Sequence, residues 1–281
     1  VNFDPSLLGR TIRSEEFRVN TIRLAQFAAA ANDANPQHRE GWIAAPVFAN
    51  VPVMQATIEA LQKVTTAFAF HGEHDFRFHE PIRPSMRLLS SAQLMGVHMT
   101  GAGVSIVIKT ETHTDRQQRV NEQYFTALVA KESIAKPAGT AAPDHRVPDN
   151  VTAQPPIASA TAPLDADQTR RYADAARDYS DYTMSAEAAR AKGLEAPLVH
   201  GMLTMAMASS AIVEHACGAD SARLKRLACR FSGPLYLVPG QALTTRLWRL
   251  DRRDGSAGYA FESQDAGGRI VLRHGVAEVA A

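Results

Sequence analysis

A carboxylate and an imidazole stand five positions apart in Asn32-Asp33-Ala34-Asn35-Pro36-Gln37-His38. Near neutral pH these two side-chain types can exchange protons with a bound molecule, and Pro36 stiffens the turn that carries them. The chemistry open to such a pair is general acid–base work, one group taking a proton while the other gives one. The same residues also suit a plain turn and helix cap, because Asp and Asn before Pro favour that geometry. His200 heads a long apolar run, followed by Gly201 and Met202. His71, His74 and His79 form a further group. Alternation along a strand would divide them between two faces, and no Cys or carboxylate cluster joins them at ligand spacing, so no metal is expected. The two cysteines, Cys217 and Cys229, lack C-x-x-C spacing. That argues against a disulfide framework or a zinc ribbon and fits a reducing cytoplasm.

The elements that must position these residues come as a repeat. Phe27 lies six positions before Asp33, and Tyr172 six before Asp178, each in an Ala-rich stretch suited to a short packed helix. Farther on, a strand ending at Phe78 and a Pro81 bend match a strand ending at Phe231 and a Pro234 bend. The copies are offset by 145 residues at the aspartates and 153 at the phenylalanines, so they differ by loop insertions. Each also holds a second helix, expected over Val51–Lys63 and Met202–Cys217 with Gly218 as C-cap; being apolar nearly all round, these helices should be buried. Three β runs follow in each copy. They are joined by turns at Gly101-Ala102-Gly103, Asp254-Gly255 and Gly267-Gly268 and read as antiparallel meanders. Between the copies, residues 136–163 are rich in Pro and Ala without a hydrophobic period, a linker by composition. The expected organisation is therefore one unit over 1–135, a linker over 136–163 and a second unit over 164–281.

Composition narrows the partners. In 281 residues with 45% hydrophobic and 21% charged content, the chain reads as globular. A net charge of +1 without a Lys/Arg run argues against nucleic acid. The start has no signal-peptide pattern and no apolar run reaches spanning length, so no membrane partner is expected and the cytoplasm is the expected location.

Together these motifs resemble the MaoC-like hydratase family, whose members show YA-x-x-S-G-D-x-N-P-x-H and then a Gly-x-x-x-Pro loop ending in His-Gly-Met or His-Gly-Leu. The first copy carries Asp33, Asn35, Pro36 and His38; the second carries Tyr172-Ala173, Asp178 and Gly193 through Pro197 to His200-Gly201-Met202. The resemblance implies an α+β fold of two fused hot-dog units, each an antiparallel sheet wrapped around a buried helix, forming a pseudo-dimer. It also implies reversible hydration of trans-2-enoyl thioesters to (3R)-hydroxyacyl thioesters, a hydro-lyase reaction needing no cofactor. Substrates would be acyl-CoA or acyl-carrier-protein thioesters, and a homo-oligomer stays open. By the resemblance, Asp33 and His38 hold a water between them, with Asn35 in support. The developing enolate oxygen needs preorganised donors, expected from the N–H of Asn50 or Val51, since Pro52 has none.

The copies depart from the pattern in opposite ways. Asn50 stands where the first loop should have glycine, while the second turn has Ser180 for asparagine and Thr183 for histidine. Threonine cannot exchange a proton near neutrality. Chemistry is therefore expected at the first copy, with Asp178, Thr183, His200 and Gly201 a degenerate second site that Tyr179 and Tyr182 fill. The alternatives are a hot-dog thioesterase and a non-catalytic acyl-thioester-binding partner subunit.

Overall fold

The computed structural model describes residues 1, 3–253 and 256–280; the turn expected at Asp254-Gly255 lies outside them. In chain order the helices are α1 (Thr21–Ala30), α2 (Pro36–Arg39), α3 (Met54–Gln62), α4 (Asp149–Thr152), α5 (Gln168–Ala176), α6 (Asp181–Met184), α7 (Ala186–Ala191) and α8 (Gly201–Ala216). The strands are β1 (Thr11–Arg13), β2 (Phe17–Arg18), β3 (Phe70–Phe78), β4 (Arg87–Thr100), β5 (Gly103–Thr114), β6 (Arg119–Ala130), β7 (Ala138–Gly139), β8 (Ala158–Pro163), β9 (Leu224–Phe231), β10 (Ala242–Arg253), β11 (Ser256–Asp265) and β12 (Ile270–Ala280). The backbone groups into two compact units: Val1–Arg18 with Pro52–Glu80 and Met86–Asp144, and Val19–Val51 with Pro81–Ser85 and His145–Ala281.

In the first unit an antiparallel sheet runs β1-β4-β5-β6-β3, with β2 and β7 also paired to β4. The expected meander is present, its first turn at Gly101-Ala102 between β4 and β5. Ala56, Ala60 and Val64 pack on Ala92, Leu94, Ile106, Ile108 and Ala127. The helix itself differs from expectation. Residues Pro46–Val53 form a 3-10 helix and the α-helix begins only at Met54, because Pro52 has no N–H to give an α-helical ladder. Gln55, Glu59 and Gln62 keep one face in water, so α3 is half buried rather than buried all round.

A bulge between His71 and Glu73 also overturns the simple alternation expected on β3. It swings His71 onto the face of His74, Nε2 to Nδ1 at 3.1 Å. His74 Nε2 meets Gln123 Oε1 at 3.1 Å, and Gln123 Nε2 donates to Asn121 Oδ1 at 2.9 Å, a polar chain under the sheet. Burial pushes His74 down to about 3, so the ring is neutral.

The second unit has the sheet β9-β12-β11-β10-β8. Helix α8 packs on β8, β9, β10 and β12, and its residues Met202–Ser209 are all buried. It ends at Ala216 with Cys217 as its cap, one residue short of the expectation, and Gly218 follows at φ +63°. Part of the stretch that composition marks as linker is structured: β8 pairs with β10 from Ala158↔Leu247 to Pro163↔Ala242. Its alternation is carried by Ala, Ser and Thr, which leave little hydrophobic signal. The repeat persists at the level of register: Phe78 faces Asn121 on β6, and Phe231 faces Leu272 on β12. The aromatic anchors of the two copies meet in this unit, Phe27 and Tyr172 with centroids 5.6 Å apart and both buried. From α5, Arg171 and Gln168 donate to the carbonyls of Ala29 and Ala30 at the end of α1 (2.9 and 2.6 Å), fixing how α1 leads into its turn.

Candidate active site

Asn20 opens α1 by accepting the N–H of Arg23 at 2.8 Å. The helix closes with Asn32 in the left-handed region, φ +53°, while the N–H of Asn32 and of Asp33 turn back to Ala29 O (3.2 Å) and Ala28 O (2.9 Å). This is a Schellman stop, and asparagine tolerates the conformation it needs. The chain then doubles back. Asp33 Oδ1 accepts the N–H of Asn35 at 2.9 Å, and Asn35 Oδ1 accepts that of Gln37 at 3.0 Å. Pro36 takes the first position of α2, where its missing N–H costs nothing. One short turn later His38 faces the aspartate, Nδ1 2.7 Å from Asp33 Oδ2. Gly41, at φ +68°, closes this turn so near the Thr21 carbonyl that a Cβ would clash.

Both members of the pair are 1% exposed. They touch directly through Nδ1 and Oδ2, so a water held by both would have to meet other atoms of the pair. A short contact is the natural outcome, since a buried carboxylate and imidazole satisfy each other best by a charge-assisted hydrogen bond. The other ring nitrogen, Nε2, lies 2.8 Å from Ser221 Oγ. Asn35 Nδ2 donates to the Ala219 carbonyl at 2.8 Å, so the motif turn docks on the loop after α8 through two side chains. Beside the turn is a cavity of about 320 Å³. The stretch from Asn32 to Pro36 forms one wall, Ala160–Ala162 of β8 another, and Met207, Ser210, Ala211 and Glu214 of α8 a third.

The second copy shares the backbone device but not the chemistry. Arg177 takes the left-handed position of Asn32 (φ +59°), and the N–H of Asp178 returns to Ala173 O at 3.2 Å. Asp178 Oδ1 then accepts from Ser180, N–H at 3.2 Å and Oγ at 2.7 Å. Thr183 Oγ1 donates to Ser180 O at 2.7 Å and lies 3.0 Å from His200 Nε2. Because His200 Nε2 also lies 3.0 Å from the Asp178 carbonyl, that nitrogen is the protonated one. His200 thus ties the turn together, and its burial lowers its pKa, the Asp178 charge and carbonyl opposing. Gly201 is the first residue of α8, directly after it. Tyr179 is 57% exposed and is no filler of this site; Tyr182 is half buried, its ring beneath Lys192 Nζ at 5.8 Å.

Asn50 and Val51 lie in the later part of the 3-10 helix Pro46–Val53, not at the start of α3. Sequence reasoning missed Ser221. The signal that could have found it is Asp220-Ser221 just past Gly218, a capping pair after an apolar helix; Asp220 does cap the short turn Ser221–Arg223. Among the described residues no group of three or more His, Cys, Asp or Glu could hold a metal ion, and no helix is long and apolar enough to cross a membrane.

A buried Asp–His pair on a turn beside a cavity is an arrangement able to exchange protons, and it lies in a unit whose sheet packs on one long helix, as in a hot-dog fold. Comparison with known proteins places it further. Residues 148–265 match the MaoC like domain, and residues 37–130 match the MFE-2 hydratase 2 N-terminal domain. The chain is 23% identical over 209 residues to a probable enoyl-CoA hydratase 2 of Dictyostelium discoideum, covering 74% of this chain and 68% of that one. It is 25% identical to mouse peroxisomal multifunctional enzyme type 2 over 66% of its own length but only 25% of the mouse protein's. A MaoC-like dehydratase from Phytophthora capsici superposes with TM-score 0.81, 20% identity and coverage of 97% and 95%. A Mycobacterium tuberculosis protein with a double hotdog fold superposes with TM-score 0.61, 14% identity and coverage of 96% and 95%. The chain thus carries a MaoC-like dehydratase domain and an MFE-2 hydratase 2 N-terminal domain, and its fold is that of the double hot-dog proteins.

Proposed function

We propose that the chain is a hydro-lyase that reversibly adds water to trans-2-enoyl thioesters to give (3R)-hydroxyacyl thioesters, with Asp33 and His38 as its proton-transfer pair. The observation that carries this reading is the buried Asp33–His38 contact, 2.7 Å long, beside a cavity. In hydration one member takes a proton from water as the oxygen bonds to the β carbon, and a proton is returned to the α carbon; dehydration runs the steps backward. Because the two side chains are hydrogen-bonded, a proton can pass between them, and one face of the pair can serve both transfers. Asn35 holds the turn in register. The enolate oxygen is assigned to the N–H of Asn50 or Val51.

The names of relatives support the substrate class: enoyl-CoA for the Dictyostelium protein and MaoC-like dehydratase for the Phytophthora one. An acyl-CoA is the proposed carrier form, with acyl-carrier-protein thioesters the other, and the cytoplasm the proposed location. The test is hydration of crotonyl-CoA and longer enoyl-CoAs by the full chain, with chiral analysis of product. (3R)-Hydroxyacyl-CoA is expected. Release of free thiol without hydration would point to a thioesterase instead, and binding without turnover to a non-catalytic subunit.

A further inference from the structure

The loop after α8 is built with more care than a connection needs. Gly218 and Ala219 both take positive φ, +63° and +64°, the second without glycine's freedom. Arg223 fastens the loop at its base, Nη1 to Cys217 O at 3.2 Å and Nε and Nη2 to Ala280 O at 3.2 and 2.9 Å. Asp220 Oδ1 accepts the N–H of Ala222 at 3.0 Å, and Asn35 grips the Ala219 carbonyl. What this framework presents is the Ser221 hydroxyl, 2.8 Å from His38 Nε2 and brought from 183 positions away.

The chemistry of the ring explains why a hydroxyl suits that place. A carboxylate only accepts hydrogen bonds, so the Asp33 contact keeps the proton of neutral His38 on Nδ1. Nε2 then holds a lone pair, and its neighbour must donate. When Nε2 takes a proton from the water whose oxygen bonds to the β carbon, it becomes a donor, and its neighbour must accept. In a ring that is 1% exposed, bulk water is not at hand to take the neighbour's place. A serine hydroxyl has one proton and two lone pairs and can rotate, so it answers both states while keeping its own proton. A backbone carbonyl or an ammonium could answer only one. His200 offers the contrast: among the described residues its buried Nδ1 has no hydrogen-bond partner, as a ring with a fixed proton can be.

We propose that Ser221 is a positioning residue for the Asp33–His38 pair, keeping Nε2 hydrogen-bonded whether it holds a lone pair or a proton. This rests on the hydro-lyase reading. The test compares Ser221→Ala, Ser221→Thr and Asp33→Asn in the full chain, by steady-state hydration of crotonyl-CoA and by ¹⁵N NMR of the His38 ring. Leaving Nε2 unpaired in Ser221→Ala should lower kcat by about 10- to 100-fold, the scale for stranding a buried polar group. KM should stay within about 3-fold, the Nε2 signal should move, and threonine should restore both readouts. Wild-type kcat in Ser221→Ala, an unmoved Nε2 signal, a defect confined to KM, or failure of threonine to rescue would each overturn the proposal. If Asp33→Asn is silenced while Ser221→Ala is not, only the role of Ser221 falls. If Asp33→Asn keeps full activity, or wild type hydrates no enoyl thioester, the hydro-lyase reading falls and takes this role with it.

Discussion

Acid should weaken this protein through His74, by an amount the structure lets one work out. The ring is 1% exposed and committed to a hydrogen-bond chain, and burial lowers its pKa from 6.5 to about 3. The unfolded chain therefore binds a proton below pH 6.5 that the folded chain refuses until about pH 3. Stability is complete above that window and is lost as pH falls through it. Each pH unit costs about 1.4 kcal/mol per proton withheld, so going from about pH 7.5 to about pH 5 removes roughly 2 kcal/mol through His74. His71, also lowered by burial and by His74, adds to the loss. Urea unfolding followed by circular dichroism at both pH values measures it. The control is His74→Gln, which can still accept from His71 and donate to Gln123 but does not titrate. Groups other than His71 titrate alike in both proteins, and His71 loses the lowering that His74 imposes, so the wild type should lose at least about 2 kcal/mol more than the variant between the two pH values. Equal losses would refute the reasoning, as would a wild type equally stable at both.

Two further outcomes follow from the turns. Asn35→Ala removes the cap of α2 and the tie to Ala219; unfolding midpoints should show a cost of about 1–2 kcal/mol, and kcat should fall because the pair loses its alignment. Thr183→His with Ser180→Asn, in an Asp33→Asn background, should stay inactive in the crotonyl-CoA assay, because His200 already holds Thr183 and the Asp178 carbonyl.

The sequence made the repeat legible because it is written in residues with strong local preferences. Phe27 and Tyr172 before their aspartates, the Gly turns and the alternating β runs all carry short-range physics. Asp33, Asn35 and His38 were readable for the same reason: the Asx turn, the Pro36 start and the facing histidine are local to seven residues. Long-range features were not readable. Nothing in residues 19–51 says that they group with the C-terminal segment, and Ser221 reaches His38 only through the fold. The bulge beside Gly72 reversed the expected separation of His71 and His74, since one extra residue flips every side chain after it. β8 escaped notice because its alternating residues are small.

The first copy is the one proposed to work, and a paired measurement addresses that directly. Turnover of crotonyl-CoA should be compared for Asp33→Asn and Asp178→Asn, with folding checked by circular dichroism. The Asp33 carboxylate shares a 2.7 Å contact with a buried histidine, whereas the Asp178 carboxylate accepts from Ser180 on a threonine-bearing turn. Asp33→Asn should lose at least ~10²-fold in kcat, the scale of a positioned acid or base, and Asp178→Asn should lose little. A folded Asp33→Asn variant with wild-type turnover, alongside a silent Asp178→Asn, would contradict it.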